Sequence, residues 1–231
     1  VKKVSKKKSK PVFPIGEITG TKEMILINAF ELFGRYGFVG TSVRMIAQKS
    51  RVNLAAINYH FNSKEQLFWQ VMEATYISVD ARILGILHES TSVLAMSEMI
   101  YDFFISESLA LKNTMKMMLS EGITPPNDPD QSSPLNDPMG PPGGRHLAVM
   151  IQKEVPYPLS DEGMLWAIKA IFGSVFHWAL MVSSDRICPL NSSDEPLMSK
   201  EQIKKDVLLM VHSTLDFLLR EKARFSKSSH T

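Results

Sequence analysis

Apolar residues recur along this chain at intervals of three and four wherever prolines do not interrupt them. Ile25, Ala29, Leu32 and Phe33 share one face of a helix that starts at Thr21 and is predicted to end at Tyr36-Gly37. Val43, Ile46 and Ala47 mark a short helix over 41–50, and Ile57 and Phe61 mark another over 54–61. Thr41 and Asn53 are placed to cap these two through side-chain oxygens. Ser63-Lys64-Glu65-Gln66 forms a capping box opening a fourth helix, which continues through Leu67, Phe68, Val71, Met72 and Thr75 to about His88. Further helices are predicted over 91–111, 113–121, 145–155, 160–184 and 199–224, the last opened by a second capping box. Nothing resembles a strand hairpin, so the expected fold class is all-α.

Two segments break the pattern. VKKVSKKKSK places Lys2, Lys3, Lys6, Lys7, Lys8 and Lys10 together ahead of Pro11 and Pro14, which predicts a flexible basic arm over 1–18. Such an arm either follows DNA phosphates or a minor groove, or is a solvated tail. Residues 123–144 carry seven prolines, which predicts a mobile surface loop over 122–144 without a regular element. The expected organisation is therefore an arm at 1–18, a three-helix head at 19–65, a helical body at 66–225 and a tail at 226–231.

The two short helices cannot bury their apolar faces alone. Packed on the first long helix they form a helix-turn-helix, whose second helix enters a DNA major groove. The polar or small residues opposite the buried stripe are then the candidate DNA contacts. Arg44 suits a guanine or a phosphate; Leu54, Ala55 and Ala56 can meet thymine methyls; Asn58 can offer an amide to adenine. Tyr59 and His60 carry hydrogen-bonding tips, and Lys64 suits a phosphate. Thr41, Ser42 and Asn53, at the helix starts, complete the set.

Charge sharpens this picture. Residues 1–64 hold 12 Lys/Arg against three Asp/Glu, a balance of +9, and the remainder holds 14 against 21, or −7. A basic head on an acidic body suits phosphate binding at one end only. The lone Cys188 excludes an internal disulfide and fits a reducing cytoplasm. No apolar run is expected to span a membrane, and no apolar stretch of signal-peptide length follows the basic start, so a cytoplasmic protein is expected. The six histidines are scattered, and neither a Gly-x-Ser-x-Gly, a phosphate loop nor a dinucleotide fingerprint occurs. No catalysis, metal or cofactor is expected.

The wording of the head adds a resemblance. INYHFNSKEQLF, following TSVRMIAQ at this distance and TKEMILINAFELFGRYGF before it, resembles the DNA-binding domain of the tetracycline-repressor (TetR) family. One departure is Arg51, in the turn where the family usually has glycine; a positive φ there would cost Arg51 some strain. The resemblance implies DNA contacts at the matching positions above. It also implies a homodimer through the last two helices, with the fourth helix passing motion of the body to the heads. A small apolar or aromatic effector would bind in the body, which is rich in Met and aromatic residues. Candidate lining residues are Phe103, Phe104, Met118, Trp166, Phe172 and His177, although such stripes are more often plain core. The implied function is a DNA-binding transcriptional regulator, a repressor released from a palindromic operator by that effector. Two rivals stay open: a structural or division-control protein of the same fold without an effector, and a helical enzyme or carrier with a vestigial head.

Overall fold

The computed structural model describes residues 20–119, 133–183 and 199–226. The Lys-rich arm, most of the tail and residues 120–132 of the proline-rich segment lie outside the described residues, as does Cys188. The described chain is all-α: α1 Thr21–Gly40, α2 Val43–Ser50, α3 Leu54–Phe61, α4 Lys64–Glu89, α5 Val93–Ser106, α6 Ser108–Met118, α7 Gly144–Glu154, α8 Asp161–Val182, α9 Lys200–Arg220 and α10 Lys222–Phe225. Extended pairing among the described residues is confined to one isolated bridge, Leu159 with Ser226.

These helices divide into two compact units. The first holds α1, α2, α3, α4 as far as Ser78, and α6 from Leu109. The second holds α4 from Val79, α5, and α7 to α10.

In the first unit, Ile25, Phe30, Phe33, Ile46, Ile57, Phe61 and Leu67 are fully buried. Phe33, Phe38 and Phe68 meet within 5.1–6.1 Å, two of the three contacts edge-on. The main run of α1 ends at Gly37 as expected, since its φ of 73° and ψ of 176° are non-helical, and a short further turn carries the element to Gly40. Only glycine adopts that angle at no steric cost.

In the second unit, α8 packs against α5, α7, α9 and α10, and α5 also against α7 and α9. Val93, Met96, Ile168, Ile171, Val175, Val207 and Val211 form its centre. By length and composition α8 does pass for a membrane span, contrary to the sequence expectation; 39% of its apolar window is buried, and the helix packs against α5, α7, α9 and α10. Its apolar residues serve several neighbouring helices, so they need not be confined to one stripe.

Two expectations need correction here. The helix predicted over 91–111 is broken at Glu107, with α5 ending at Ser106 and α6 starting at Ser108. Ser106 Oγ donates to Phe103 O, a local bond that competes with the helical ladder. The second correction concerns the proline-rich segment, whose described part is tied down. Pro134–Asn136 is a 3-10 turn, and Asp137 accepts from Met139 N and pairs with Arg145. Gly143 N donates to Asp80 Oδ1 at 2.8 Å, and His146 Nε2 lies 3.1 Å from Asp80 Oδ2. At Gly143 φ is +85° and a Cβ would meet Ile83 at 2.6 Å, so glycine permits both the turn and the contact. Burial pushes the Asp137 carboxyl up, but hydrogen bonds from Arg145 and Met139 N outweigh it and hold the pKa below the ordinary value.

Candidate nucleic-acid interface

Local caps define the α2–turn–α3 element. Asn53 Oδ1 accepts from Ala56 N at 2.8 Å and starts α3 where expected. α2 starts two residues later than expected, because Ser42, not Thr41, is its cap, with Oγ accepting from Met45 N. Thr41 is buried, and its Oγ1 donates towards Gly37 O at 2.7 Å and Leu32 O at 3.1 Å. The helical ladder breaks at Gly37, and the Gly37 carbonyl is satisfied by the Thr41 hydroxyl.

The turn after α2 closes by a Schellman motif: Val52 N donates to Ala47 O and Arg51 N to Gln48 O. Arg51 occupies the left-handed position, φ 54° and ψ 39°, as the turn requires. It thereby holds an exposed guanidinium beside the start of α3.

Ile57 and Phe61 of α3 are buried, one turn apart. Opposite them Leu54, Ala55, Asn58 and Tyr59 are exposed, Tyr59 by 84% of its surface. Ala56 and His60 lie half-buried at the margins, with the His60 ring 5.1 Å from that of Tyr59. On α2, Arg44 is exposed and so is Gln48 one turn on. Gln48 was not among the sequence candidates, though its i,i+4 spacing from Arg44 would have shown it. Ser42 and Asn53 are exposed as well, with side-chain oxygens already engaged as caps.

Lys64 is placed differently from a free phosphate ligand. Its Nζ donates to Phe38 O at 3.1 Å and Thr41 O at 3.2 Å, and lies 4.1 Å from the centre of the Phe38 ring. Two of its three N–H groups thus hold the end of α1 against the start of α4. Lys49 is paired with Glu31.

The effector candidates do not form one group. Phe104, Phe172 and Phe176 meet at 5.7–6.2 Å, with Phe103 beside Phe104. Trp166 stacks on Phe225 at 4.9 Å and contacts Phe217, a second cluster. His177 is exposed, and Met118 is 62% exposed and belongs to the first unit. Helical spacing ranks apolar residues by face but does not say which face meets which partner.

What spacing missed is polar. Ser97 and Tyr101, one turn apart on α5, are 1% and 3% exposed, and neither hydroxyl has a hydrogen-bond partner among the described residues. Burial pushes the Tyr101 phenol up, and the charge of Asp102 adds to this. An i,i+4 pair of hydroxyl residues within an otherwise apolar face is the signal that could have found them.

Comparison with known proteins places the head. Residues 25–71 match the family described as bacterial regulatory proteins, tetR family. The chain is 43% identical over 56 residues to the probable HTH-type transcriptional regulator YttP of Bacillus subtilis, covering 24% of this chain and 27% of that protein. It is 29% identical over 89 residues to the HTH-type transcriptional repressor NicS of Pseudomonas putida, covering 37% of this chain and 42% of that one. These alignments thus span less than half of each relative's length. In three dimensions the chain is similar to the transcriptional regulator FadR of Bacillus subtilis, solved in complex with stearoyl-CoA. The TM-score is 0.56 at 13% identity, over 85% of this chain and 97% of that one. At that identity the likeness speaks for the fold.

Proposed function

We propose that this chain, whose residues 25–71 match the tetR family of bacterial regulatory proteins, is a sequence-specific transcriptional repressor of that family. The observation that carries the reading is the exposed face of α3. Leu54, Ala55, Asn58 and Tyr59 stand outward on a helix fixed from behind by Ile57 and Phe61. Arg44 and Arg51 flank that face with exposed positive charge. A helix so presented fits a major groove, with the flanking arginines suited to backbone phosphates.

Two heads are needed to read a palindrome, so the working form is a homodimer through α8 and α9. Support comes from the outer side of these helices. Gly173 and His177 are exposed on α8, and Leu209, Phe217 and Leu219 on α9. The protein works in the cytoplasm, where its DNA is.

Release is by a small effector in the second unit. An apolar or aromatic body would lie near Phe103, Phe104 and Phe172, and a hydrogen-bonding group would be taken by Ser97 and Tyr101. Leaving a buried hydroxyl unsatisfied costs about 1–3 kcal/mol, which a bound polar group would recover. The effector acts only through its difference in affinity for the DNA-competent and released states.

The test is a gel-shift titration of the full chain on DNA from upstream of its own gene, over a range of salt. A reporter fused to the same DNA is compared with and without the protein. Saturable, steeply salt-dependent binding at one site, with the reporter silenced by the protein, is expected. Equal affinity for unrelated DNA, or a reporter that ignores the protein, contradicts the proposal.

A further inference from the structure

The bases that the α3 face can read follow from the side chains it lacks. From Val52 to Ser63 the chain contains no Lys, Arg, Asp or Glu. In the major groove guanine is read chiefly by Arg or Lys at N7 and O6, and cytosine by a carboxylate at N4. Thymine is read instead by apolar contact with its C5-methyl group, and adenine by Asn or Gln at N6 and N7. The exposed stripe of α3 is made of the second kind: Leu54 and Ala55, then Asn58, with the Tyr59 phenol at its edge.

The spacing is compatible with simultaneous contact. Leu54 lies one turn from Asn58, so an apolar group and an amide follow one another along the same line. The amides at the two ends of α3 are engaged, Asn53 in capping through its oxygen and Asn62 by donating to Gln66 Oε1. The cations near α3 sit off its face, Lys22 being over the buried Phe61 ring. Arg44 is on α2 and Arg51 in the turn, and neither makes an ion pair among the described residues. Lys49 is paired with Glu31, and Lys64 is engaged by the carbonyls of Phe38 and Thr41. The first helix of such a pair crosses the DNA backbone, so the arginine on α2 is suited to phosphate while α3 faces the bases.

We infer that α3 reads an A·T-centred half-site, with thymine methyls against Leu54 and Ala55 and an adenine edge on Asn58. This rests on the reading of α3 as the groove helix. It narrows that reading to a class of base pair.

The test begins with selection of duplexes from a random library by the full chain, followed by sequencing of the bound pool. The selected duplex is then remade with uracil for thymine, one position at a time. That change deletes the C5-methyl and keeps every hydrogen bond of the base pair. The expected motif has A·T pairs at the centre of each half-site, and affinity falls roughly three- to fivefold for each contacted methyl removed. Asn58→Ala is expected to reduce the preference for adenine at one position by about tenfold. An enriched motif with G·C centres, or one indifferent to uracil, overturns the A·T assignment and leaves sequence-specific binding standing. If no motif is enriched, the reading of α3 as the groove helix falls, and the assignment with it.

Discussion

Tyr59 on α3 and Tyr101 on α5 occupy opposite environments: one is 84% exposed, the other 3% exposed with no partner for its hydroxyl among the described residues. In the first unit Ile46, Ala47, Ile57 and Phe61 of two eight-residue helices are consumed by the core, and what α3 leaves outside is the short set Leu54, Ala55, Asn58 and Tyr59. In the second unit the buried side chains are almost all apolar, and the informative groups are the few hydroxyls left inside. A binding face shows itself by what is exposed, whereas a binding interior shows itself by what is buried and unsatisfied.

The largest expected effect breaks that comparison at the head. Phe61→Ala removes a fully buried ring and should cost about 3–5 kcal/mol, with DNA binding lost. Tyr59→Ala, on the exposed side of the same helix, should change stability by no more than about 0.5 kcal/mol while still weakening DNA binding. Thermal melts beside a binding titration separate the two. If Phe61→Ala retains wild-type affinity, the pose of α3 is not what DNA requires.

Next in size is Lys64→Met, which keeps an apolar stem and deletes the ammonium that serves Phe38 O and Thr41 O. A loss of about 1–2 kcal/mol is expected, with weaker DNA binding as a consequence. Unchanged melting together with weakened binding would instead make Lys64 a phosphate ligand.

On the body side, Tyr101→Phe should stabilise the protein by about 1 kcal/mol, because the orphan hydroxyl disappears. The same variant should respond less to effector. Destabilisation on chemical denaturation would show that the hydroxyl has a partner after all.

Arg51→Gly should have the smallest effect, raising stability by about 0.5–1 kcal/mol by relieving the left-handed conformation. Its DNA binding should weaken and show a shallower dependence on salt, since a phosphate-facing charge is gone. A variant with the wild-type salt slope would remove Arg51 from the interface.

The legibility of the chain follows the same division. α3 could be bounded to the residue because Asn53 at its start and the Ile57/Phe61 pair each left a local signature. The positive φ of Arg51 was signalled by the resemblance, because the family usually has glycine at that position. By contrast, Thr41 and Ser42 are adjacent hydroxyls that can each cap a helix, and the Thr41 hydroxyl is taken up at Gly37 instead. The placement of Lys64 was hidden for the same reason: its acceptors, Phe38 O and Thr41 O, lie 26 and 23 residues away. In the body, Trp166 and Phe172 share a helix yet join different clusters, and His177 faces outward. Helix packing decided these placements, and a one-dimensional period carries no information about it.

The central claim is that α3 reads DNA by its exposed face while the fold behind it is indifferent to that face. The most direct measurement is the affinity of the full chain and of Tyr59→Ala for one selected duplex, beside the melting temperature of each. The account predicts equal melting temperatures within a degree or two and at least a tenfold weaker complex for Tyr59→Ala, on the basis that a single well-placed contact is worth about 1–3 kcal/mol. Equal affinities at equal stability would contradict it.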